Sequence, residues 1–432
     1  MTFFIVFFFL LGLLYNFFVL RNTDIKRLDF LDGILIGQIY YVIIAMTVFF
    51  VIGSANTVDL DLTYSPLSDI ETTSVILIGM LIIPTLRMMI PRVSNLSPDT
   101  SDPNVFRDTL IIFIILSILS FQMSGLSQGG HWQENVKDSL NGNPAFVYVK
   151  SASNIIRTAI FGALLYHFKS GRISAWKTTG IGLFITLFDL LMTFNRITAV
   201  YYLITLAFVI RGATARLAFA IGSLIVLPSL SLLWPMFRGL ATSDGYNLSS
   251  FQAAASIAGS HGTSTSIDES LNSVLESSNI LVLDWIVKNF DTPSLTPLHG
   301  DMFIRGLTVL IPRQLWPSRP SSFGVQMGDT IAHVPGLSLN STLYGESFAN
   351  FGWGWVAALP VFLVSLHYLF RLLAGNNRSI GAMSAFIGIA IWRFDSAFAI
   401  MSLIMLSIIS LILWVKRDLW RAVASSSGRG RT

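Results

Sequence analysis

Apolar runs recur along nearly the whole chain, near 2–20, 30–53, 73–90, 108–126, 147–168, 178–194, 197–210, 217–234, 352–370, 379–392 and 396–415. Crossing roughly 30 Å of hydrocarbon takes about 20 helical residues, fewer where a helix is short or buried. Lipid offers no hydrogen-bond partners, so each run must satisfy its backbone within its own segment, and helix does that. The pattern predicts an all-α polytopic membrane protein with about eleven transmembrane helices. Two pairs, 178–194/197–210 and 379–392/396–415, form tight hairpins, each broken by a charged residue. Composition agrees, since only 12% of the residues are charged, about half the share of a soluble domain. The first run follows no basic segment and holds no small-residue cleavage site, so it is read as a spanning helix rather than a signal peptide.

Orientation follows from the basic residues in alternate connections. One side gathers Arg21, Lys26, Arg27, Arg87, Arg92, Arg107, Lys169, Arg172 and Lys177. It also holds Arg211, Arg216, Arg371, Arg378 and the tail residues Lys416, Arg417, Arg421, Arg429 and Arg431. The other side carries Lys137, Lys150, Arg157, Arg196 and Arg393 in short connections, and its loop 54–72 has Asp59, Asp61, Asp69 and Glu71 without a basic residue. The first side is expected to be cytoplasmic, with the N-terminus outside and the C-terminus inside a plasma (inner) membrane. The tail's basic residues would hold this topology and touch anionic lipid.

Three regions follow: 1–234 with eight spans, a large extracytoplasmic loop 235–351, and 352–432 with three spans and the basic tail. In the loop, Ser266 with Glu269 has the spacing of a capping box, followed by Ile267, Leu271, Val274 and Leu275 at helical intervals. Ile280–Phe290 is too short to span and should lie on the membrane surface or on the protein. Met302–Ile311 is another short apolar stretch, stopped by Pro312.

Candidate chemistry concentrates at the outer face. Arg305, Arg313 and Arg319 crowd the end of the long loop, and Arg196 and Arg393 interrupt apolar hairpins. Charges at the hydrocarbon boundary are costly and are functional candidates by default. A guanidinium presents a planar fork of donors matched to phosphate, so converging arginines would suit an anionic lipid headgroup such as a diphosphate. The alternative is that Arg196 and Arg393 mark helix ends by snorkelling. Glu346 lies where the loop re-enters the membrane and could act as general base toward a sugar hydroxyl, or pair with an arginine. Asp59 and Asp61 have the Asp-x-Asp spacing of metal-dependent sugar transferases, a common pattern in solvated loops too. Asp301 and Asp395 read as ion-pair partners. The six histidines show no pair at zinc-binding spacing. No cysteine occurs, which excludes disulfides and thiolate chemistry. No phosphate-cradling or dinucleotide-binding glycine motif is present, and nothing indicates a cofactor, a metal or nucleic acid.

The run Ile311-Pro312-Arg313-Gln314-Leu315-Trp316-Pro317-Ser318-Arg319-Pro320 is followed by Gly345-Glu346-Ser347-Phe348-Ala349-Asn350-Phe351-Gly352-Trp353. Together they resemble the signature of the O-antigen (oligosaccharide repeat unit) polymerases of the Wzy type. Arg319 stands where lysine is usual in that family. Asn195-Arg196 and Arg393 are similar to the family's outer arginines. The resemblance implies a GT-C-like, metal-independent membrane glycosyltransferase that joins undecaprenyl-diphosphate-linked repeat units at the outer face of the inner membrane. It implies Glu346 and Arg313 as catalytic groups, with Arg196, Arg305, Arg319, Arg393 and Asn350 binding the diphosphate-lipid or glycan. Partners would be membrane lipid, a chain-length regulator and a flippase. The product would be O-antigen, capsule or exopolysaccharide. The related O-antigen ligases typically carry a histidine where Glu346 stands. The rivals are a ligase or another lipid-linked sugar transferase, or a transporter of lipid-linked glycan. A transporter would bind near the bilayer midplane between repeat halves, and no internal repeat is visible here.

Overall fold

The structure is a computed structural model. It describes residues 2–57, 60–92, 99, 101, 103–124, 144–193, 197–210, 278–308, 318–334 and 337–428, with isolated positions at 212, 214, 215, 219, 222, 252, 311, 315 and 316. The run 217–234, the capping pattern at Ser266, and Asp59, Lys137, Arg196 and Arg313 fall outside the described residues, apart from single positions within that run.

Among the described residues the fold is helical, with one small hairpin. Helices α1 (Thr2–Arg21), α2 (Phe30–Ile52), α3 (Ile70–Met89), α4 (Val105–Met123), α6 (Ala175–Thr193) and the continuous stretch Leu343–Ala374 are long and apolar enough to cross a membrane. Between α4 and α6 lies α5 (Pro144–Lys169), the longest helix of the first half. α7 (Ile197–Val209) follows, and near the C-terminus come α13 (Arg378–Ala390) and α14 (Ser396–Gly428). Shorter elements are β1 (Ala55–Thr57) with β2 (Leu62–Tyr64), α8 (Ser278–Asn289), α9 (Asp301–Thr308) and α10 (Phe323–Met327). A five-residue π segment, Ile39–Ile43, interrupts α2.

The predicted run at 352–370 begins earlier than expected. Thr342 accepts from the Gly345 N–H and starts α11 (Leu343–Phe351), and a 3-10 turn at Gly352–Gly354 joins it to α12 (Trp355–Ala374). Leu343, Tyr344, Phe348 and Ala349 are all buried, so the apolar face of this segment draws it into the bundle as helix. Its end is set by Gly352, whose φ of +51° is open to glycine and rarely to other residues. The large loop thus yields its last nine residues to helix. α8 lies on the protein, with Ile280, Leu281, Val282, Leu283 and Ile286 at most 1–2% exposed.

α13 is the centre of the bundle, packed against α2 on one side and α5 on the other. Small residues make this possible by letting helix backbones meet. A Cβ on Gly33 would sit 1.7 Å from the Ala385 carbonyl oxygen, and one on Gly162 would sit 2.3 Å from that of Ala382. Neither neighbour is a flexible side-chain end that could swing away. We expect Gly33→Ala to destabilise the fold by about 2–3 kcal/mol through overpacking. Gly180→Ala, with nothing near its Cβ, should be neutral or slightly stabilising. Thermal unfolding of both variants in detergent checks this, and equal behaviour would contradict the close approach.

Three polar side chains inside the bundle are tied to one another. Tyr344 donates to Gln38 Oε1, Gln38 donates to Asn16 Oδ1 at 2.5 Å, and Asn16 donates to the Met80 carbonyl at 2.8 Å. This string crosses α11, α2, α1 and α3, satisfying side chains that would otherwise be orphaned in lipid.

The two ends of the bundle differ in charge. At one end, Arg92 reaches Thr23 and Asp32, Arg371 donates to the Pro91 carbonyl, and Ser101 donates to Asn377. These contacts bring Thr23, Asp32, Pro91, Arg92, Ser101, Arg371 and Asn377 together at one end of the bundle. Arg87, 2% exposed, lies 2.8 Å from Asp32 and 3.4 Å from Asp29. At the opposite end, Lys288 pairs with Asp69 and Asp284 at 2.8 and 2.6 Å.

One expectation is overturned. Lys150 and Arg157 do not sit in a short connection but inside α5. Arg157 is 2% exposed and 2.8 Å from Asp189 of α6, itself fully buried. The spacing of a helical run cannot show that its interior charge has a partner on the next helix.

Candidate functional site

The end opposite the basic connections holds Arg305, Arg319, Glu346, Asn350 and Arg393, the described residues among those singled out in the sequence. α9 lies against the first turn of α14, and Gly306 permits it, because a Cβ there would meet Ile400 Cδ1 at 2.4 Å. The preceding residue, Arg305, is thereby aimed at Asp395, and its guanidinium contacts the carboxylate at 2.7 Å. The two side chains are 18% and 15% exposed, so the pair faces open space. Asp395 also accepts from the Phe398 N–H at 3.2 Å, as a residue capping the start of α14 does.

Glu346 is buried against the start of α14. It is 3% exposed, and both carboxylate oxygens accept from the Ser396 N–H, at 3.0 and 2.9 Å. The Ser396 hydroxyl donates to it as well. A carboxylate at the positive end of a helix is favourably placed. Glu346 therefore anchors the start of α14 and, with it, Asp395. A base must reach the proton it takes, and here both oxygens are engaged by the protein. The partner expected for a structural Glu346 was an arginine; the structure supplies a helix N-terminus.

Asn350 also has a positioning role. Its amide nitrogen donates to the Glu346 carbonyl at 2.7 Å and its oxygen accepts from the Gly300 N–H at 3.0 Å. At 1% exposure it is enclosed by these protein partners. Arg319 donates to the Ile311 and Thr308 carbonyls at 2.6 and 3.4 Å, closing the C-terminal end of α9. Arg393 lies in the turn between α13 and α14, partly buried. Asp61 is exposed in the β1–β2 turn with φ +49°, and Asp301 opens α9. Of the expected arginines described, Arg305 alone is among the residues lining the cleft beside α14.

That cleft has a volume of about 190 Å³. Its polar wall is formed by Ser151 and Asn154 of α5, Arg305, Asp395, and the loop residues Ser322, Ser338 and Asn340. Its apolar wall is formed by Phe394, Phe398 and Met401 at the head of α14. Arg157 lies one helical turn beyond Asn154 along α5. Asn154 and Arg157 escaped the sequence reading. The available signal was a lone arginine in one apolar run and a lone aspartate, Asp189, in the next. Outside the membrane spans, burial holds the Asp284 carboxyl above its ordinary range, while contact with Asp284 and Asp69 raises Lys288.

Comparison of the chain with family models, with curated proteins and with solved structures finds no match.

Proposed function

We propose that this chain is a membrane glycosyltransferase joining diphosphate-lipid-linked oligosaccharide repeat units into a surface polysaccharide. Eleven spans, an outer N-terminus and an inner C-terminus belong to this reading. The observation that carries it is the two-faced cleft between α5, α9 and α14. One wall offers hydroxyls, amides and an Arg305–Asp395 pair for sugar and phosphate, and the other offers Phe394, Phe398 and Met401 for an isoprenoid stem. A ligand that is part glycan and part lipid needs both surfaces, and ligand sites are commonly apolar clefts with a few placed polar groups. Arg305 would steady the diphosphate leaving group as its charge develops. Glu346 and Asn350 would position α14 and the 298–300 turn rather than touch the substrate.

The deciding experiment is deletion followed by gel analysis of surface glycan. The polymerase reading expects a single repeat unit attached where a ladder stood. No attached unit, with polymer still made, would point to a ligase. Complementation with Arg305→Ala should lower polymer yield at least tenfold while costing only about 1 kcal/mol of stability, since the pair is partly exposed. Full polymer from that variant would remove Arg305 from the site.

Topology has its own test, clean because the chain has no cysteine. A membrane-impermeant maleimide should label Ser294→Cys in intact cells and Asn376→Cys only after permeabilisation. The reverse pattern would place the cleft on the wrong side for this chemistry. The buried Arg157–Asp189 pair favours a second reading, since intramembrane ion pairs mark transport paths. Loss of all glycan, with lipid-linked units retained on the inner leaflet, would support transport instead.

A further inference from the structure

We propose that the basic end of the bundle contains a second site, which binds the phosphate group of an anionic membrane lipid or free phosphate. It is a pocket of about 40 Å³ between the 27–30 turn, the end of α12 and the start of α13. That is room for a few water-sized groups, the scale of one phosphate. Three arginines line it, Arg27, Arg371 and Arg378, of which Arg27 is 3.3 Å from Asp24. One carboxylate, Asp29, lines it too, but Asp29 is 3.4 Å from Arg87, so its charge is already met inside the protein. The cations therefore outnumber the anions facing the pocket.

The second observation is independent of those charges. His367 lines the pocket, is 2% exposed, and neither ring nitrogen has a hydrogen-bond partner among the described residues. Its Nδ1 lies 3.9 Å from Asp29 Oδ1, beyond hydrogen-bond length. Buried polar atoms are nearly always satisfied, so such a group marks a place where a further partner belongs. Arg371 spends one of its donors on the Pro91 carbonyl at 3.2 Å, and a guanidinium has five N–H donors.

The chemistry favours phosphate over a carboxylate or a metal ion. Arginine forks match the oxygens of a phosphate, and an imidazole can add one more donor. A cation would face three guanidinium groups. Phe30 and Phe370, stacked at 4.9 Å between ring centroids, form an apolar floor beneath it. This site shares no residue with the cleft at the other end, so it stands or falls apart from the proposed transferase activity.

The test uses the full chain purified in neutral detergent, with the unfolding temperature measured during titration. The probes are phosphatidylglycerol, phosphatidylcholine and inorganic phosphate. Saturable stabilisation by phosphatidylglycerol and not by phosphatidylcholine is expected. Inorganic phosphate that reproduces the full shift would assign the site to free phosphate; a shift confined to the lipid would assign it to the headgroup. The variant R371Q/R378Q should weaken apparent affinity at least tenfold. Arg107→Gln, on the same face but outside the pocket, should leave affinity unchanged. If the double variant does not fold, Arg378→Gln alone should weaken affinity at least threefold. Equal responses to the two lipids without any response to phosphate, or equal weakening by Arg107→Gln, would overturn the proposal.

Discussion

Replacing Arg157 with methionine is expected to lower the unfolding free energy by about 3–5 kcal/mol, because it strands a buried carboxylate. Asp189 is 0% exposed, and its contact with Arg157 is 2.8 Å. The Thr193 hydroxyl adds a hydrogen bond at 3.2 Å and Thr198 a further one, too little to hold a full charge in an apolar surround. The same logic makes the converse prediction sharp. Arg157→Met combined with Asp189→Leu removes both charges and should recover most of the loss, since well-packed apolar residues often replace a buried pair at little cost. Chemical or thermal unfolding of the two single variants and the double variant closes the cycle. Additive losses would mean the two side chains are not coupled. Polymer yield from the double variant then separates two roles. A refolded but inactive double variant would show that the pair serves activity beyond holding the two helices together. Restored yield would confine the pair to holding α5 against α6.

The second large effect concerns Glu346. Glu346→Ala should cost about 3 kcal/mol, because it removes the acceptor for a buried N–H and a buried hydroxyl at once. Ser396 would then open α14 with its amide unsatisfied in a site that water does not reach. Glu346→Gln keeps one oxygen and should cost about half as much, with its amide nitrogen turned toward donors. Melting in detergent and polymer yield must be measured together. A group acting as base would lose yield on conversion to glutamine with the melting temperature unchanged. An anchoring group loses both in parallel, through displacement of Asp395 and its 2.7 Å contact with Arg305. Asp395→Asn, at the exposed pair, should lower stability by no more than about 1 kcal/mol.

Much of the fold can be read from local pattern. The runs from residue 2 to 210 and from 379 to 392 meet helices within about three residues at their ends, since a backbone that must bond to itself in lipid declares its length in apolar residues. The same local reading went astray at 352, where a helix had already begun at Leu343. Gly345, Ser347 and Asn350 look like loop residues in isolation. Burial of Tyr344 and Phe348 between α8, α3 and α12 outweighs those preferences.

The amino-acid sequence by itself determined that the chain is a bundle of apolar helices, which basic turns lie together, and which charges are costly enough to demand explanation. Each of these is a property of one segment and its solvent. Only the tertiary structure decided who meets whom. Glu346 binds a helix start 50 residues away, Arg305 meets an aspartate 90 residues away, and Arg157 finds its counter-charge on a neighbouring helix. Pairing in space depends on helix rotation and on where glycines let backbones touch, and those are fixed only when all the helices pack at once.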